Sequence, residues 1–445
     1  MNFNEHTKRI ILRISLIFMV LLSIGLTGYI FGTDAHFSGV EQTTSKSADK
    51  ELGEKSLRDI FVPTQLFYYQ DDQLYQVYDG NKNLPLEFNR LTEKLDKRSI
   101  KNFRKDNDSY KKMLHNHNYL QLTYPDQITM PLFIRGINKK DGREFNRIFV
   151  STKKRDYLYL GNDANHHLYQ IKISDIAFDK FVHQVTHASS KIPVSLIHLR
   201  DGYSVVYEKA TKLQVYNYLT NEESSSYYVN NLLGSGASSQ KTTGDNTVYS
   251  NGAYQRLIVT NKTHHYEFVD YQENKIPKLM TTRLIDSLYY VRKTGLSEPD
   301  LRFFDADNKT FIYQNFVEEY PIFLPGNNIS RAKVNFAKNG MSINFNSLDF
   351  QIPVPTDDPK VTVESTDDAL DELYEAGYTK KDINRIIIGY QISQQTPQTE
   401  SRELVELHPT YYVKINNKWR SLKEWTSLST KSRKGMGLKE ETNGF

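Results

Sequence analysis

The chain has 445 residues, a formal net charge of +4 and no cysteine. This length is sufficient for several domains of ordinary size, and the lack of cysteine excludes disulfides, thiolate metal sites, a cysteine nucleophile and lipoprotein-type attachment. Acidic and basic residues are interleaved along most of the sequence, a solvated-surface pattern that argues against a nucleic-acid partner.

The N-terminal segment predicts a membrane-spanning helix. The basic residues Lys8, Arg9 and Arg13 precede an uncharged apolar run from Ile14 to Phe31. As an α-helix this run is roughly 27 Å long, which is close to the thickness of the hydrocarbon core of a bilayer. The predicted transmembrane helix covers residues 10–32, because the long side chain of Arg13 can reach the lipid headgroups.

The distribution of positive charge predicts the orientation of this helix. Lys8, Arg9 and Arg13 are the topology determinants, since basic residues stay on the cytoplasmic side of a membrane helix. Residues 1–9 are therefore predicted to be cytoplasmic and the body extracellular, as in a single-pass protein of the cell membrane. A cleaved signal peptide is the alternative, but the apolar run is long, and Gly28–His36 is bulky at several positions where a cleavage site has small residues.

Small residues give the predicted helix a candidate packing surface. Gly28 and Gly32 are four residues apart, and Ser23 and Thr27 form a second such pair on an adjoining face. Small side chains let two helix backbones approach closely in lipid. The alternative is that glycines are simply common in membrane helices. We treat these four residues as candidates for packing against partner membrane helices.

The segment after the predicted helix changes composition near Asp59. Residues 33–58 are polar and poor in aromatic residues, which predicts a partly disordered juxtamembrane stalk. From Asp59 onward, short aromatic runs alternate with polar residues and turn signals, which predicts strands joined as hairpins. The predicted hairpins are Leu66–Tyr78, Tyr157–Ile173, Arg256–Tyr271, Leu301–Phe316 and Tyr411–Leu422.

Helical patterns lie between these hairpins and predict an α+β fold, with an N-terminal transmembrane helix followed by a multi-domain extracellular body of antiparallel hairpins packed with helices. The predicted helices are Glu87–Asp96, Asp108–Asn116, Ser174–His187 and Thr366–Ala376. Candidate boundaries divide the body into three domains and a disordered tail. The three predicted extracellular domains are residues 59–190, 191–293 and 294–428, and the predicted disordered tail is residues 429–445.

One pair of histidines is a candidate metal site. His183 and His187 are four residues apart on a predicted helix, which is the spacing of a zinc-binding helix. A zinc hydrolase of that type needs glutamate directly after the first histidine as general base, but Gln184 stands there. The pair is therefore interpreted as helix surface, and neither a metal nor a cofactor site is predicted.

Two short motifs are also found in serine enzymes of the cell wall. Ser151 and Lys154 form Ser-x-x-Lys, and Lys293–Gly295 reads Lys-Thr-Gly, as in penicillin-binding proteins. In those enzymes the serine opens a helix, whereas Ser151 ends a strand-like run, and no Ser-x-Asn lies between the two motifs. Since no nucleophile, base and orienting acid stand at a recognisable spacing, no catalytic residue is assigned and a non-enzyme is predicted.

Several segments, taken in their order along the chain, resemble the YycH (WalH) family of regulatory proteins from low-GC Gram-positive bacteria. The resemblance covers most of the chain and includes the basic start, the single predicted anchor and the stalk. The segments that carry it are Phe61–Gln65 running into Leu74–Tyr78, Ile386–Tyr390, Leu407–Lys414 and Asn416–Trp419. None of them is a chemical motif, so their specificity comes from order and total length.

The resemblance implies a non-catalytic, membrane-anchored accessory protein. Members of the family act with a YycI (WalI) protein and the sensor histidine kinase YycG (WalK) of the YycFG (WalRK) two-component system, which controls cell-wall metabolism. It also implies contacts through the membrane helices and the outer domains, and three extracellular domains. Two other functions stay open at this point: an exported cell-wall serine enzyme and a binding module for a cell-wall ligand.

Overall fold

A computed structural model of the chain describes residues 19, 20, 23, 57–79, 82–95, 100–153, 156–173, 178–263, 265–271, 276–296, 300–324, 330–354, 359–399 and 402–428. The chain divides into two compact units, Met1–Glu54 and Lys55–Phe445. Met19 and Val20 are helical and exposed in the first unit, as is Ser23. All elements below belong to the second unit.

The N-terminal half of this unit is built on one antiparallel sheet, called the first sheet, with the strand order β3-β7-β6-β5-β4-β1-β2-β8-β9. Its strands are β1 (Gln65–Gln70), β2 (Gln73–Tyr78), β3 (Ile100–Lys105), β4 (Tyr119–Thr129), β5 (Glu144–Ser151), β6 (Tyr157–Gly161), β7 (His167–Lys172), β8 (Ser190–Leu199) and β9 (Gly202–Tyr207). The helices of this half are α1 (Leu57–Ile60), α2 (Leu84–Leu91), α3 (Asn107–Leu114), α4 (Met130–Phe133) and α5 (Asp179–Thr186), and a 3-10 turn covers Thr92–Lys94.

The C-terminal half contains a larger, branched sheet, called the second sheet. Its strands are β11 (Tyr216–Glu222), β12 (Ser238–Thr243), β13 (Asn246–Asn251), β14 (Gln255–Thr260), β15 (His265–Asp270), β16 (Leu301–Ala306), β17 (Thr310–Val317), β18 (Tyr320–Phe323), β19 (Ala332–Ala337), β20 (Gly340–Asn346), β21 (Leu348–Val354), β23 (Ile383–Thr399), β24 (Arg402–Ile415) and β25 (Lys418–Ser421). A separate two-stranded sheet pairs β10 (Thr211–Gln214) with β22 (Lys360–Val363). The helices here are α6 (Ser225–Leu233), α7 (Met280–Lys293), α8 (Thr366–Glu375) and α9 (Leu422–Thr426), with a 3-10 turn at Asn261–Thr263.

All five predicted hairpins are confirmed as antiparallel pairs: β1–β2, β6–β7, β14–β15, β16–β17 and β24–β25. Two of their turns show why the sequence specified them. Asp71 and Asp72 have φ values of 49° and 66°, and Asn416 and Asn417 have 49° and 59°. Asp and Asn tolerate this left-handed conformation best after glycine, and two such residues in succession give the tight turn whose twist suits a hairpin.

The predicted helices are also found, with altered ends. Helix α2 begins at Leu84 rather than Glu87, because Asn83 caps it by accepting a hydrogen bond from Leu86 N and Pro85 fits the first turn. Ser365 caps α8 by accepting from Asp368 N, a role that the sequence had suggested for residues 366–368. The sequence did not predict the short helices α1, α4 and α9. It also did not predict α6 or α7, whose tyrosine-, serine- and threonine-rich sequences resemble strands. Mixed α and β structure with mostly antiparallel sheets is thereby confirmed.

The cores of the two halves are continuous. The rings of Phe61, after α1, and Phe303 in β16 lie 5.2 Å apart between centroids, and the Thr281 hydroxyl in α7 donates to the Thr129 hydroxyl at the end of β4 at 2.9 Å. The division into domains 59–190, 191–293 and 294–428 stays a prediction. Among the described residues, no helix has the length and apolar content needed to cross a membrane.

Candidate functional site

The junction between the two sheets brings several buried charged side chains together. Strand β9 starts beside β23, where Arg200 N donates to Ile383 O at 3.3 Å and Asp201 N donates to Asn384 O at 3.2 Å. A cavity at this junction is lined by side chains from both halves, among them Arg147, Asp201 and Glu319. We take this junction as the candidate functional site because it joins the halves.

One buried network crosses the junction through β16, β23 and β24. Lys414 Nζ lies 2.9 Å from Asp305 Oδ1 and 3.3 Å from Asp201 Oδ2. Trp419 Nε1 donates to Asp305 Oδ2 at 2.8 Å, and Asn384 Nδ2 donates to Asp201 Oδ1 at 2.8 Å. Asp305 thus accepts from a donor at each oxygen, and Lys414 connects the β8–β9 turn to the second sheet.

The same network reaches the first sheet through Asp126 in β4. Arg385 NH2 lies 3.2 Å from Asp126 Oδ1, and Arg385 also donates to the Pro125 carbonyl. Ala306 N donates to Asp126 Oδ2 at 2.9 Å. Each of these contacts ties a residue of β4 to a strand of the second sheet.

The charges within this network shift the pKa values of Asp126 and Asp305 in opposite directions. Burial alone would raise the pKa of Asp126, but the positive charges of Arg385 and Lys414 outweigh it and lower that pKa to about 2. Burial raises the pKa of Asp305 to about 6, with Asp126 adding to the rise while Lys414 opposes it. The carboxyls of Asp126, Asp201 and Asp305 share two cations, Arg385 and Lys414. The negative charge of the last carboxyl to ionise is therefore not fully balanced by positive charge.

A second buried network lies inside the first sheet. Arg147 donates from Nε to Asp163 Oδ1 and from NH2 to Asp163 Oδ2, both at 2.9 Å, and from NH1 to Gln121 Oε1 at 3.1 Å. Tyr110 and Asn146 also donate to the Asp163 carboxylate, at 2.5 and 3.0 Å. The two charged side chains are each 2% exposed. Such a bidentate pair fixes strand β5 to the β6–β7 loop.

A third group contains a buried carboxyl whose hydrogen-bond donor is a side-chain amide. Glu319, in the turn between β17 and β18, is 6% exposed, and Gln76 Nε2 of β2 donates to its Oε2 at 3.3 Å. The Tyr207 hydroxyl of β9 donates to Gln76 Oε1 at 2.7 Å. Burial is the main cause that raises the pKa of Glu319, to about 8.

These groups hold the fold together through paired charges and fixed hydrogen bonds. The described residues around the cavity do not bring a serine or threonine hydroxyl, a base and an orienting acid into one hydrogen-bonded chain, which is the arrangement that nucleophilic catalysis requires. Ser151 ends β5, as predicted, and Lys153 N donates to its hydroxyl at 3.3 Å. Lys154 lies outside the described residues. Lys293 ends α7, with its ammonium 5.6 Å from the Phe268 ring centre.

Two pairs of histidines lie close together in the described part of the chain. His183 and His187 stack with ring centroids 4.1 Å apart, and His187 Nδ1 contacts the His183 carbonyl at 3.0 Å. His166 lies 5.9 Å from His198, between ring centroids. Within the part of the chain that the structure describes, no three His, Asp or Glu side chains are grouped to hold a metal.

The residues predicted to act in the membrane are almost all outside the described part. Ser23 is helical. The remaining packing candidates, Thr27, Gly28 and Gly32, and the topology determinants Lys8, Arg9 and Arg13 lie outside the described residues. The structure also does not describe the predicted cytoplasmic segment (1–9) or the predicted tail (429–445). Of the predicted helix (10–32) it describes Met19, Val20 and Ser23, and of the predicted stalk (33–58) it describes Leu57 and Arg58.

The junction residues were not predicted from the sequence. One signal was available: Lys414 lies between Val413 and Ile415, and Arg385 directly precedes a run of isoleucines, so each is a charge inside an apolar strand. A charge in that position needs a buried partner. The identity of the partners could not be read, because Asp126, Asp201 and Asp305 are far away in sequence.

Gly389 in β23 shows why one of the segments that carry the family resemblance contains glycine. A Cβ at this position would lie 2.6 Å from Phe323 Cε2 and 3.0 Å from the Pro321 carbonyl oxygen. Phe323 has little room to move, because it stacks on Tyr412 with ring centroids 3.6 Å apart. The close approach of β18 to β23 therefore requires glycine.

We expect Gly389→Ala to lower the free energy of unfolding by about 1–3 kcal/mol through overpacking. Urea denaturation measures this change. Gly142→Ala is the matched control, since a Cβ at Gly142 meets no atom within 4 Å. Equal stabilities of the two variants would contradict the steric argument.

Comparisons with known proteins agree with this architecture. The family model described as "YycH protein, N-terminal domain" matches residues 5–190, and "YycH protein, C-terminal domain" matches residues 203–428. Among solved structures, the chain is similar to the crystal structure of YycH from Bacillus subtilis, with a TM-score of 0.65 and 15% identity, over 83% of this chain and 98% of that one. No curated protein matches the chain.

Proposed function

This chain belongs to the YycH family, whose members are regulatory accessory proteins of the YycG system, and from that membership we propose that it is a membrane-anchored regulator of the sensor histidine kinase YycG (WalK), acting together with a YycI-like protein. The observation that carries the proposal is the match of the N- and C-terminal family domains, in that order, to residues 5–190 and 203–428.

The proposed location is the cell membrane, with residues 1–9 in the cytoplasm and the body outside the cell. The support is the basic start at Lys8, Arg9 and Arg13 followed by the apolar run from Ile14 to Phe31. Under this proposal the lipid bilayer is itself a partner, and the small residues of the predicted helix face other membrane helices.

The proposed mechanism needs no chemical step by this chain. A kinase whose signal passes through membrane helices has at least two packing states, and a partner helix that binds one of them better shifts the population toward it. The body supports such a role because buried ion pairs and a continuous core join its halves. A body of this kind can present a defined docking surface to the outer domains of its partners.

The test is crosslinking and co-purification from native-host membranes. Gly28→Leu/Gly32→Leu is expected to reduce recovery of the kinase and the YycI-like protein by about tenfold, which corresponds to about 1.4 kcal/mol of helix-packing free energy. Leu26→Ile/Ile30→Leu is the matched control, because it conserves side-chain volume on the opposite face of the predicted helix.

A form of the chain that starts at Glu51 separates the two kinds of contact. If this form alone retains both partners, the outer domains carry the binding and the predicted helix only raises the local concentration. If the wild type recovers neither partner, the proposed function is wrong for this protein.

A further inference from the structure

The carboxyl of Glu319 is buried at the junction of the two halves. Glu319 lies in the β17–β18 turn of the second sheet, lines the junction cavity and is 6% exposed. Its hydrogen-bond donor Gln76 is 0% exposed and belongs to β2 of the first sheet. This contact therefore crosses from one half of the molecule to the other.

The orientation of the Gln76 amide is fixed by a third residue. The Tyr207 hydroxyl donates to Gln76 Oε1, so the amide NH2 group of Gln76 points toward Glu319. The backbone N–H of Tyr207 is in turn bonded to the Thr366 hydroxyl at the start of α8, at 2.8 Å. The chain of contacts thus connects β2, β9, the β17–β18 turn and α8.

The charges around Glu319 do not favour its ionised form. Arg302 of β16 is the cation that acts on it, but the Arg302 guanidinium lies over the Phe316 ring, 5.4 Å from its centre, and 3.9 Å from Asp300. The adjacent Glu318 acts in the opposite sense. The other titratable groups that Glu319 influences are tyrosines, namely Tyr78, Tyr207 and Tyr320.

We propose that Glu319 is a pH-sensitive contact between the two halves, which is closed while the carboxyl is protonated and opens when it ionises. An ionised carboxylate needs more than one amide hydrogen bond to offset the loss of its hydration. The cavity beside Glu319 gives water a place to enter, and hydration of the carboxylate pushes the β17–β18 turn away from β2 and β9.

The direction of the pH effect follows from the pKa values. Burial raises the pKa of folded Glu319 to about 8 from its ordinary value of 4.5. The unfolded chain therefore loses this proton first as pH rises, so the stabilising contribution of Glu319 is full below its ordinary pKa and declines until the pH reaches about 8. Burial raises the pKa of Asp305 only to about 6, so Asp305 ionises before Glu319 as the pH rises. A comparison between pH 7 and pH 9 therefore brackets the ionisation of Glu319.

The test uses distances across the junction in the 445-residue chain. The chain has no cysteine, so cysteines introduced at two exposed positions, Lys112 in α3 and Lys338 in the β19–β20 turn of the second sheet, carry the only spin labels. Double electron–electron resonance at pH 7 and pH 9 then measures the separation of the halves. We expect the distance distribution of the wild type to shift or broaden at pH 9, and that of Glu319→Gln to stay as it is at pH 7.

Two further variants complete the test. Glu318→Gln is the matched control, because it removes the exposed neighbouring carboxyl from the same turn, and it is expected to respond to pH as the wild type does. If Glu319→Gln fails to fold, Glu319→Met replaces it as the non-titrating variant. An unchanged wild-type distribution between pH 7 and pH 9, or an equal shift in the folded non-titrating variant, would overturn the proposal.

Discussion

Replacing Arg147 with methionine is expected to lower the free energy of unfolding by about 3–5 kcal/mol. The substitution leaves the Asp163 carboxylate buried with only the Tyr110 hydroxyl and the Asn146 amide as donors, and it deprives Gln121 Oε1 of its guanidinium donor. Removal of one partner of a fully buried ion pair costs far more than the pair contributes to stability, because the remaining charge cannot regain its hydration.

Urea denaturation at neutral pH measures the effect of Arg147→Met. Arg135→Met is the matched control: Arg135 pairs with Glu93 on the surface, where the side chains are 65% and 53% exposed, and exposed pairs contribute at most about 1 kcal/mol. If the two variants lose similar stability, the Arg147–Asp163 pair does not have the role assigned to it.

The same pair predicts a pH dependence. Burial alone would raise the pKa of Asp163, but Arg147 outweighs it and lowers that pKa below its ordinary value. The stabilisation from ionised Asp163 is therefore present above pH 4 or so and is lost as the pH falls further. In Arg147→Met this acid-dependent loss should be absent or reversed, and denaturation midpoints between pH 3 and pH 6 test it.

Replacing Lys414 with methionine is the second substitution with a large expected effect, again a loss of about 3–5 kcal/mol. Asp305 and Asp201 would both lose their ammonium partner, and Asp305 is 4% exposed at its side chain. Arg385 would remain, but its NH1 is 4.0 Å from Asp305 Oδ1 and its closer contact is with Asp126. The variant should therefore loosen the junction between the halves.

Lys418→Met is the control for Lys414→Met, because Lys418 is exposed at the start of the adjacent strand β25. The double variant Lys414→Met/Asp305→Asn should recover part of the lost stability, since asparagine removes the unpaired charge while its carbonyl still accepts from Trp419 Nε1. A double variant that is less stable than either single variant would contradict the assigned pairing, and the full double-mutant cycle measures the coupling energy.

The hairpins were the features that the sequence predicted best. A hairpin is a local structure, in which the turn residues, such as Asp71-Asp72 and Asn416-Asn417, and the alternation of the flanking strands lie within about 15 residues. Helix α8 was predicted because its signals are also local, namely polar capping residues at its start and an apolar stripe along one face. Helices α6 and α7 were missed because their aromatic and β-branched residues favour strands, and their packing against the second sheet overrides that preference.

The sequence by itself determined the hairpins, four of the nine described helices and the family, because these depend on local propensities and on the order of segments along the chain. Only the tertiary structure decided which buried charges meet. Asp126 and Arg385, or Asp305 and Lys414, are separated by more than 100 residues, and nothing local records that their strands cross at one junction. Whether a buried carboxyl such as Glu319 is paired or isolated depends on those distant neighbours, because burial and nearby charge set its pKa.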